Sequence, residues 1–369
     1  MEKKNNKLVG RICDSVPSVV ARGLRTAGVL YLQRPSSEPP AHQEERMLAP
    51  DRRCAQVVAA IVLAWTALFS GLLIGQIKAQ VLDAVLDNGA IKVGVNCKAY
   101  GGAIVWLSAS GGSNLVNNFD KGRQIQQSYY AGKTITAANQ SKAWSPWAWN
   151  PIMVGDYAGH SSPVLALSNS AAQIYAKTQP FLWDRDNQLS QSYMEQWISL
   201  HPTRTNVVVV DNRFTCFRSP NDEWGGPVPC AQELPAVYFV SELDTIKAYT
   251  NNLPWRNGVL ATIPHHPSSG KFPWVRYTPT EPWTACVNSS NFGAGVYTPI
   301  ATSFLAGKAG KGTSWNTFDD STMYIAPLGR YSFTTNTVFR YRYFLIVGDL
   351  AAIRSTVYTL HIAKPSGMF

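Results

Sequence analysis

The sequence predicts an all-β protein: a large antiparallel two-sheet β-sandwich with few short helices, preceded by an N-terminal hydrophobic helix. Three observations predict it. Short alternating or continuously apolar runs recur beyond residue 80 and are separated by clusters of Gly, Pro, Asn and Ser, the punctuation of strands and turns. The 369 residues include 12 Trp, 16 Tyr, 27 Gly and 23 Pro, which suit pleated surfaces and tight turns. Charged residues make up 15% and hydrophobic residues 45%, a balance that excludes disorder and a coiled coil.

The chain opens outside the sandwich. Val57 to Gly75 reads VVAAIVLAWTALFSGLLIG, 19 residues without a charge, long enough to span a bilayer. Asp51, Arg52 and Arg53 precede it, and Ile77-Lys78-Ala79 after it resembles the end of a secretory signal, with a small residue before the cut. Met47 would start a short basic lead-in to this run. Two readings stay open. In one, residues 56–79 are a signal peptide, residues 1–46 are an extension, and the mature protein begins near Gln80. In the other, residues 56–79 anchor a type II membrane protein whose tail, residues 1–55, holds ten Lys/Arg against six Asp/Glu and stays in the cytoplasm. Both export residues 80–369, read as one β-sandwich domain, and both confine any membrane contact to the hydrophobic segment.

Within that domain strands are expected at 103–107, 164–167, 206–210, 236–240, 295–297, 323–326 and 338–347. Phe339-Arg340-Tyr341-Arg342-Tyr343-Phe344 alternates strictly, so one face of its strand is aromatic and the other begins with two arginines. Helical signals are few. Asp349 is placed to cap a helix from Leu350 to about Tyr358, with Leu350, Ile353 and Val357 on one side. Leu243–Thr250 reads as a further turn or two of helix. So many strands with so little helix require two large sheets.

Four cysteines follow the hydrophobic segment, an even number that suits two disulfides in an exported chain. Cys216 and Cys230 bracket a Gly/Pro-rich loop and are expected to pair, leaving Cys97 with Cys286; sequence allows all three pairings. The sequons at Asn139 and Asn288 are candidate glycosylation sites.

One segment points to a family. Tyr100-Gly101-Gly102-Ala103-Ile104-Val105-Trp106-Leu107, followed by Gly111-Gly112-Ser113-Asn114-Leu115-Val116-Asn117 and Asp120-Lys121-Gly122-Arg123, resembles the opening of galactose-mutarotase-like proteins. Gln232–Tyr238, Thr280–Trp283 and Gly293–Tyr297 resemble segments of secreted carbohydrate-associated proteins of that superfamily. The resemblance implies an antiparallel β-supersandwich, shared by aldose epimerases and by domains of polysaccharide lyases and glycoside hydrolases. The paired histidines and downstream acid of the epimerases are absent.

The densest polar and aromatic stretch is Asn117–Tyr130. Amides, guanidinium and phenol together can fork hydrogen bonds to sugar hydroxyls, so Asn117, Arg123 and Gln126 are candidate binding residues, and Arg123 could clamp a uronate. Trp144, Trp147 and Trp149 fall within six residues and could form a platform for sugar rings, or fold over one end of the sandwich. For proton transfer the chosen candidates are Glu281, beside Pro282-Trp283, His160 in a Gly-punctuated loop, and Tyr129. His201, His265, His266, Glu195 and Glu233 complete the set; any one histidine is more often structural.

The expected function is an exported carbohydrate-active protein, a polysaccharide hydrolase or lyase with a Trp/Arg-lined cleft. Two carboxylates flanking a glycosidic bond would give hydrolysis; a Tyr or His base with Arg123 on a uronate would give elimination. The alternative is a non-catalytic glycan-binding or extracellular structural protein, so sequence leaves open whether this is an enzyme. The expected partner is a polysaccharide or glycan. Nucleic acid is not expected: the formal charge of +10 is dispersed, and residues 1–80 hold 11 of the 33 Lys/Arg and 6 of the 23 Asp/Glu, leaving 22 against 17, or +5. No CxxC, P-loop, HExxH or GxSxG motif occurs, so no cofactor or metal is expected. The weak exception is Ca²⁺ at Asp319-Asp320.

Overall fold

The computed structural model describes residues 81–132, 149–265, 274–313 and 315–363. The hydrophobic segment, Asn139, Trp144, Trp147 and His266 lie outside the described residues. Strands are numbered in chain order. One sheet of ten strands runs β1 (Ala84–Asp87), β2 (Ile91–Val95), β3 (Ile104–Ala109), β4 (Ile125–Ser128), β11 (Cys230–Val240), β18 (Thr322–Tyr331), β17 (Ser303–Ala309), β14 (Trp274–Tyr277), with β5 (Pro151–Ile152) and β8 (Phe181–Leu182) continuing from β4. The other, of nine, runs β13 (Ala261–Ile263), β12 (Thr245–Ala248), β15 (Trp283–Val287), β16 (Phe292–Tyr297), β19 (Thr337–Asp349), β10 (Val207–Cys216), β9 (Ser192–Leu200), β7 (Gln173–Thr178), β6 (Val164–Asn169). Neighbours along both sheets pair antiparallel.

The sheets face each other across one apolar core. Ile125, Tyr129, Val237, Phe239, Met323 and Ile325 enter it from the ten-stranded sheet; Ile174, Met194, Ile198, Val208, Val210 and Phe214 enter from the nine-stranded sheet. The alternation read in Phe339–Phe344 is realised: Phe339, Tyr341 and Tyr343 point into this core. Arg342 points the other way and makes a two-pronged contact with Asp211 on the paired strand, at 2.6 and 2.7 Å.

Among the described residues two short helices complete the fold, α1 (Cys97–Tyr100) and α2 (Leu350–Ile362). Asp349 caps α2 by accepting from the Ala352 N–H, and the helix runs one turn beyond the expected end. Ile353, Val357 and Leu360 pack with Trp283, Tyr297 and Phe344 on the outer face of the nine-stranded sheet. Gly295 permits this approach, since a Cβ there would stand 2.6 Å from the Ile353 side chain. No helix among the described residues is long and apolar enough to cross a membrane.

Two expectations are corrected. Residues 245–248 form strand β12 rather than helix, because pairing on both sides, with β13 and β15, outweighs local helical preference. Among the described residues no disulfide joins Cys97, Cys216, Cys230 or Cys286. Cys97 lies beside β7, since a Cβ on Gly102 would meet both its sulfur and Ala176. Cys286 lies on β15, five strand intervals away at about 4.8 Å each, far beyond the roughly 7 Å that a disulfide can bridge. Cys216 ends β10 in one sheet and Cys230 opens β11 in the other. The loop between them is closed instead by buried Arg218, which donates to Asp222 at 2.6 and 3.0 Å and to the Gly225 carbonyl at 2.6 Å.

Candidate functional site

The outer face of the ten-stranded sheet carries a cleft. Where β4, β11 and β18 run side by side, alternation turns Gln126 and Ser128, then Glu233 and Tyr238, then Thr322 and Tyr324 toward it. Asn150 and Trp183 stand at one side and Trp274 at the other. The space enclosed within it is about 60 Å³, and its mouth opens to solvent.

Glu233 sits at the centre. Its carboxyl is almost wholly buried, and the Tyr324 hydroxyl donates to it across the strand pair. Burial raises its pKa above the ordinary carboxylate value, although hydroxyls of Ser128, Tyr324 and Tyr130 oppose the shift by hydrogen bonding to the charged form. The proton is therefore held to higher pH than on an exposed glutamate. The backbone departs from regular pairing here: the β11 register slips between Glu233 and Val237, and the Leu234–Pro235 peptide is cis. Gln232 fixes Tyr130 in place, accepting from its N–H and donating to its carbonyl, both at 2.8 Å.

A second carboxylate, Asp120, lines the cleft on the loop before β4, 3.6 Å from the Arg123 guanidinium. Gln124 turns this loop with a φ of 74°, a left-handed conformation uncommon for a non-glycine residue, and its amide donates back to the Asp120 carbonyl at 2.7 Å. Gly122 is required by closeness: a Cβ there would lie 2.9 Å from the Trp183 ring. Tyr238 feels the charges of Glu233, Asp120 and Arg123 together, so the three groups share one electrostatic neighbourhood.

The cleft is aromatic. Tyr324 packs between Tyr238 at 4.7 Å and Trp274 at 4.8 Å, centroid to centroid, and Trp183 faces them from the opposite wall. Asn150 is fully buried in that wall. Its amide nitrogen donates to the Tyr129 carbonyl at 2.8 Å, whereas its Oδ1 has no hydrogen-bond partner among the described residues. Beside Trp183, both carboxylate oxygens of buried Asp184 also lack partners, and burial pushes its pKa up to about 7.

The structure brings together only part of the set expected from sequence. Arg123 and Gln126 line the cleft, Gln126 as wall, accepting from the Val154 N–H and donating to the Arg123 carbonyl. Asn117 does not line it; it donates to the Asp319 and Ser321 carbonyls at 3.0 and 2.7 Å. Tyr129 is one residue out of phase. Its ring is sealed in the core against Phe214 and Phe333, and Tyr130 takes the cleft side. Trp149 is no platform: it is fully buried, edge-on to Phe214.

Glu281 belongs to the other outer face, where it ties α2 to its sheet. Its carboxylate accepts from the Trp255 N–H, the Tyr358 hydroxyl and the Trp283 indole, each at 2.7 Å, so it and Arg123 do not share a cleft. His160 lies on a half-exposed loop with Nδ1 2.8 Å from Asp156 and 3.4 Å from Asp186. These three side chains could hold a metal ion, but none lines the cleft. Glu195 is engaged by Arg213 and Tyr175 on the outer face of the nine-stranded sheet. His201 and His265 are also remote from the cleft lining. The Asp319 and Asp320 carbonyls accept from Arg123, their carboxylates accept from the Ser321 and Lys311 N–H groups, and Asn288 turns the β15–β16 hairpin.

Sequence reasoning missed Trp183, Tyr238, Trp274 and Tyr324, and ranked Glu233 below Glu281. The available signal was parity: Glu233 and Tyr238 fall on one face of β11 only once the irregularity between them is counted.

No protein-family model matches the chain, and no curated protein does. Among solved structures it is similar to a candidate aldose 1-epimerase from Escherichia coli K12, at 11% identity and a TM-score of 0.43, over 72% of this chain and 98% of that one. It is similar to an aldose epimerase homologue from C. elegans, at 8% identity and a TM-score of 0.40, over 72% and 98%. It is also similar to a GH36 alpha-galactosidase from Geobacillus stearothermophilus, at 10% identity and a TM-score of 0.41, over 74% of this chain but 42% of that one. The two epimerase neighbours are of the kind that the Gly101-Gly102 strand resembles, and the likeness is one of fold.

Proposed function

We propose that this chain is a carbohydrate-active protein that binds a glycan in the cleft over β4, β11 and β18, with Glu233 as proton donor to a sugar oxygen. The observation that carries it is Glu233 itself: a buried carboxyl with a raised pKa in a cleft walled by Trp183, Tyr238, Trp274 and Tyr324. Aromatic side chains suit the apolar face of a pyranose. Asp120, the second carboxylate of the cleft, favours hydrolysis over elimination. Arg123 already donates to the carbonyls of Asp319 and Asp320 and pairs with Asp120, so it is poorly placed to neutralise a uronate.

A glycan-array and polysaccharide-degradation screen of wild type and Glu233→Gln tests this. Turnover by wild type and binding without turnover by the variant is the expected result. Binding with no turnover by either protein would instead support a non-catalytic glycan-binding protein, which the aromatic wall alone would serve. The proposal goes with export of residues 80–369; N-terminal sequencing of the mature protein would separate a start near Gln80 from a retained anchor.

A further inference from the structure

We propose that Phe119, Trp315 and Phe318 form a second sugar-binding subsite at the rim of the cleft, so that the ligand is an oligosaccharide chain rather than a single sugar; this rests on the cleft being the glycan site. These three large aromatics are 40%, 42% and 41% exposed, on two loops that meet where the Asn118 N–H donates to the Thr317 carbonyl at 2.6 Å. That contact brings the two loops together, and apolar patches rimmed by polar residues mark interaction sites. Trp315 adds an unusual backbone, with a φ of 49°, and its N–H donates to a Glu242 carboxylate oxygen.

The occupant follows from continuity. Arg123 lines the cleft, stacks its guanidinium on the Phe119 ring at 4.7 Å, and donates through Nη1 to the Asp320 carbonyl at 2.6 Å, just beyond Phe318. Asn117 fixes the same loop through the Asp319 and Ser321 carbonyls, and the Phe119 N–H donates to its Oδ1 at 3.0 Å. Asp120, next to Phe119, and Thr322, four residues beyond Phe318, both line the cleft and join it to the rim. A chain with one ring over the mouth of the cleft would lay its next rings on the rim aromatics. Such contacts between a flat ring face and an apolar sugar face need no further charged group.

The test is calorimetric binding of a size-graded panel, monomer to pentamer, of malto-, cello-, manno- and galacto-oligosaccharides to wild type and to the Phe119→Ala/Trp315→Ala/Phe318→Ala variant. Wild type should bind the best series about tenfold more tightly at tetramer than at monomer. The variant should bind the monomer as wild type does and lose the gain with length. A length series that is flat in wild type, or equal loss of monomer and tetramer in a folded variant, overturns the subsite while leaving the cleft reading intact. Loss of self-association by the variant, with unchanged sugar binding, would assign the rim to a second copy of the chain and likewise overturn it. Failure of every sugar to bind wild type rejects the cleft reading and the subsite with it. Single substitutions, compared by thermal unfolding, guard against a triple variant that does not fold.

Discussion

The Tyr324 hydroxyl donates to the Glu233 carboxylate from the adjacent antiparallel strand, and this contact lies on the floor of the aromatic cleft. A donor to the charged form lowers a carboxyl pKa, yet burial wins and the net shift is upward. Tyr324→Phe should therefore raise the Glu233 pKa further and move the alkaline limb of any pH–rate profile to higher pH. An unmoved limb would show that Glu233 does not set it.

As proton donor Glu233 must be protonated, so turnover should fall as pH rises through its raised pKa. Stability has the same sign. The folded state holds this proton more tightly than the unfolded state, so the contribution is largest below the ordinary glutamate value and is lost as pH climbs to the folded value. Glu233→Gln should abolish turnover at every pH and remove the stability dependence, read by urea unfolding against pH.

Asp184 gives a separate handle on stability. Its pKa of about 7, against an ordinary 3.8, means that stability declines between pH 4 and 7 as the buried carboxyl is made to ionise. The shift corresponds to something on the order of 4 kcal/mol. Asp184→Asn should flatten that decline and be more stable than wild type at pH 8 in denaturant titrations. A variant that declines as wild type does would place the titrating group elsewhere.

Glu281→Ala should cost roughly 3 kcal/mol, because the Trp283 indole, the Trp255 N–H and the Tyr358 hydroxyl would all lose their acceptor. Sugar binding by the folded fraction should be unchanged. Unfolding curves and binding isotherms measured together would decide between this clamp and a catalytic role.

Tyr129 and Tyr130 make a paired test of strand parity. Tyr129→Phe removes core hydrogen bonds to the Gln127 side chain, at 2.9 Å, and to Tyr341, and should cost about 2 kcal/mol without touching binding. Tyr130→Phe alters the surroundings of Glu233 and should change the pH profile instead. The reverse assignment of effects would mean that the faces of β4 are exchanged.

Much of the fold was legible because it is written locally. The alternation of Phe339–Phe344 placed Tyr341 and Tyr343 on the core face, and Asp349 announced the helix it caps. The site was less legible because its chemistry is assembled from distant segments: Ser128, Glu233 and Tyr324 meet only when β4, β11 and β18 align. Glu281 looked like an acid raised by a neighbouring aromatic, but the Trp283 indole donates to it and satisfies it. Tyr129 was one residue from the reachable phenol, an error that no composition or motif corrects, since parity depends on where the strand begins.

On β4, Gln127 sends its amide through the core to the Glu195 carbonyl of the opposite sheet, at 3.0 Å. Substitutions on the cleft side of this strand can accumulate one at a time without disturbing that tie. Loss or gain of a single codon between Ile125 and Ser128 cannot, because it would carry Gln127 outward and present Tyr129 to any ligand in place of Tyr130. A one-residue length change here would need a bulge, such as the irregularity β11 carries between Glu233 and Val237, to keep Gln127 and Tyr129 inward and Tyr130 outward.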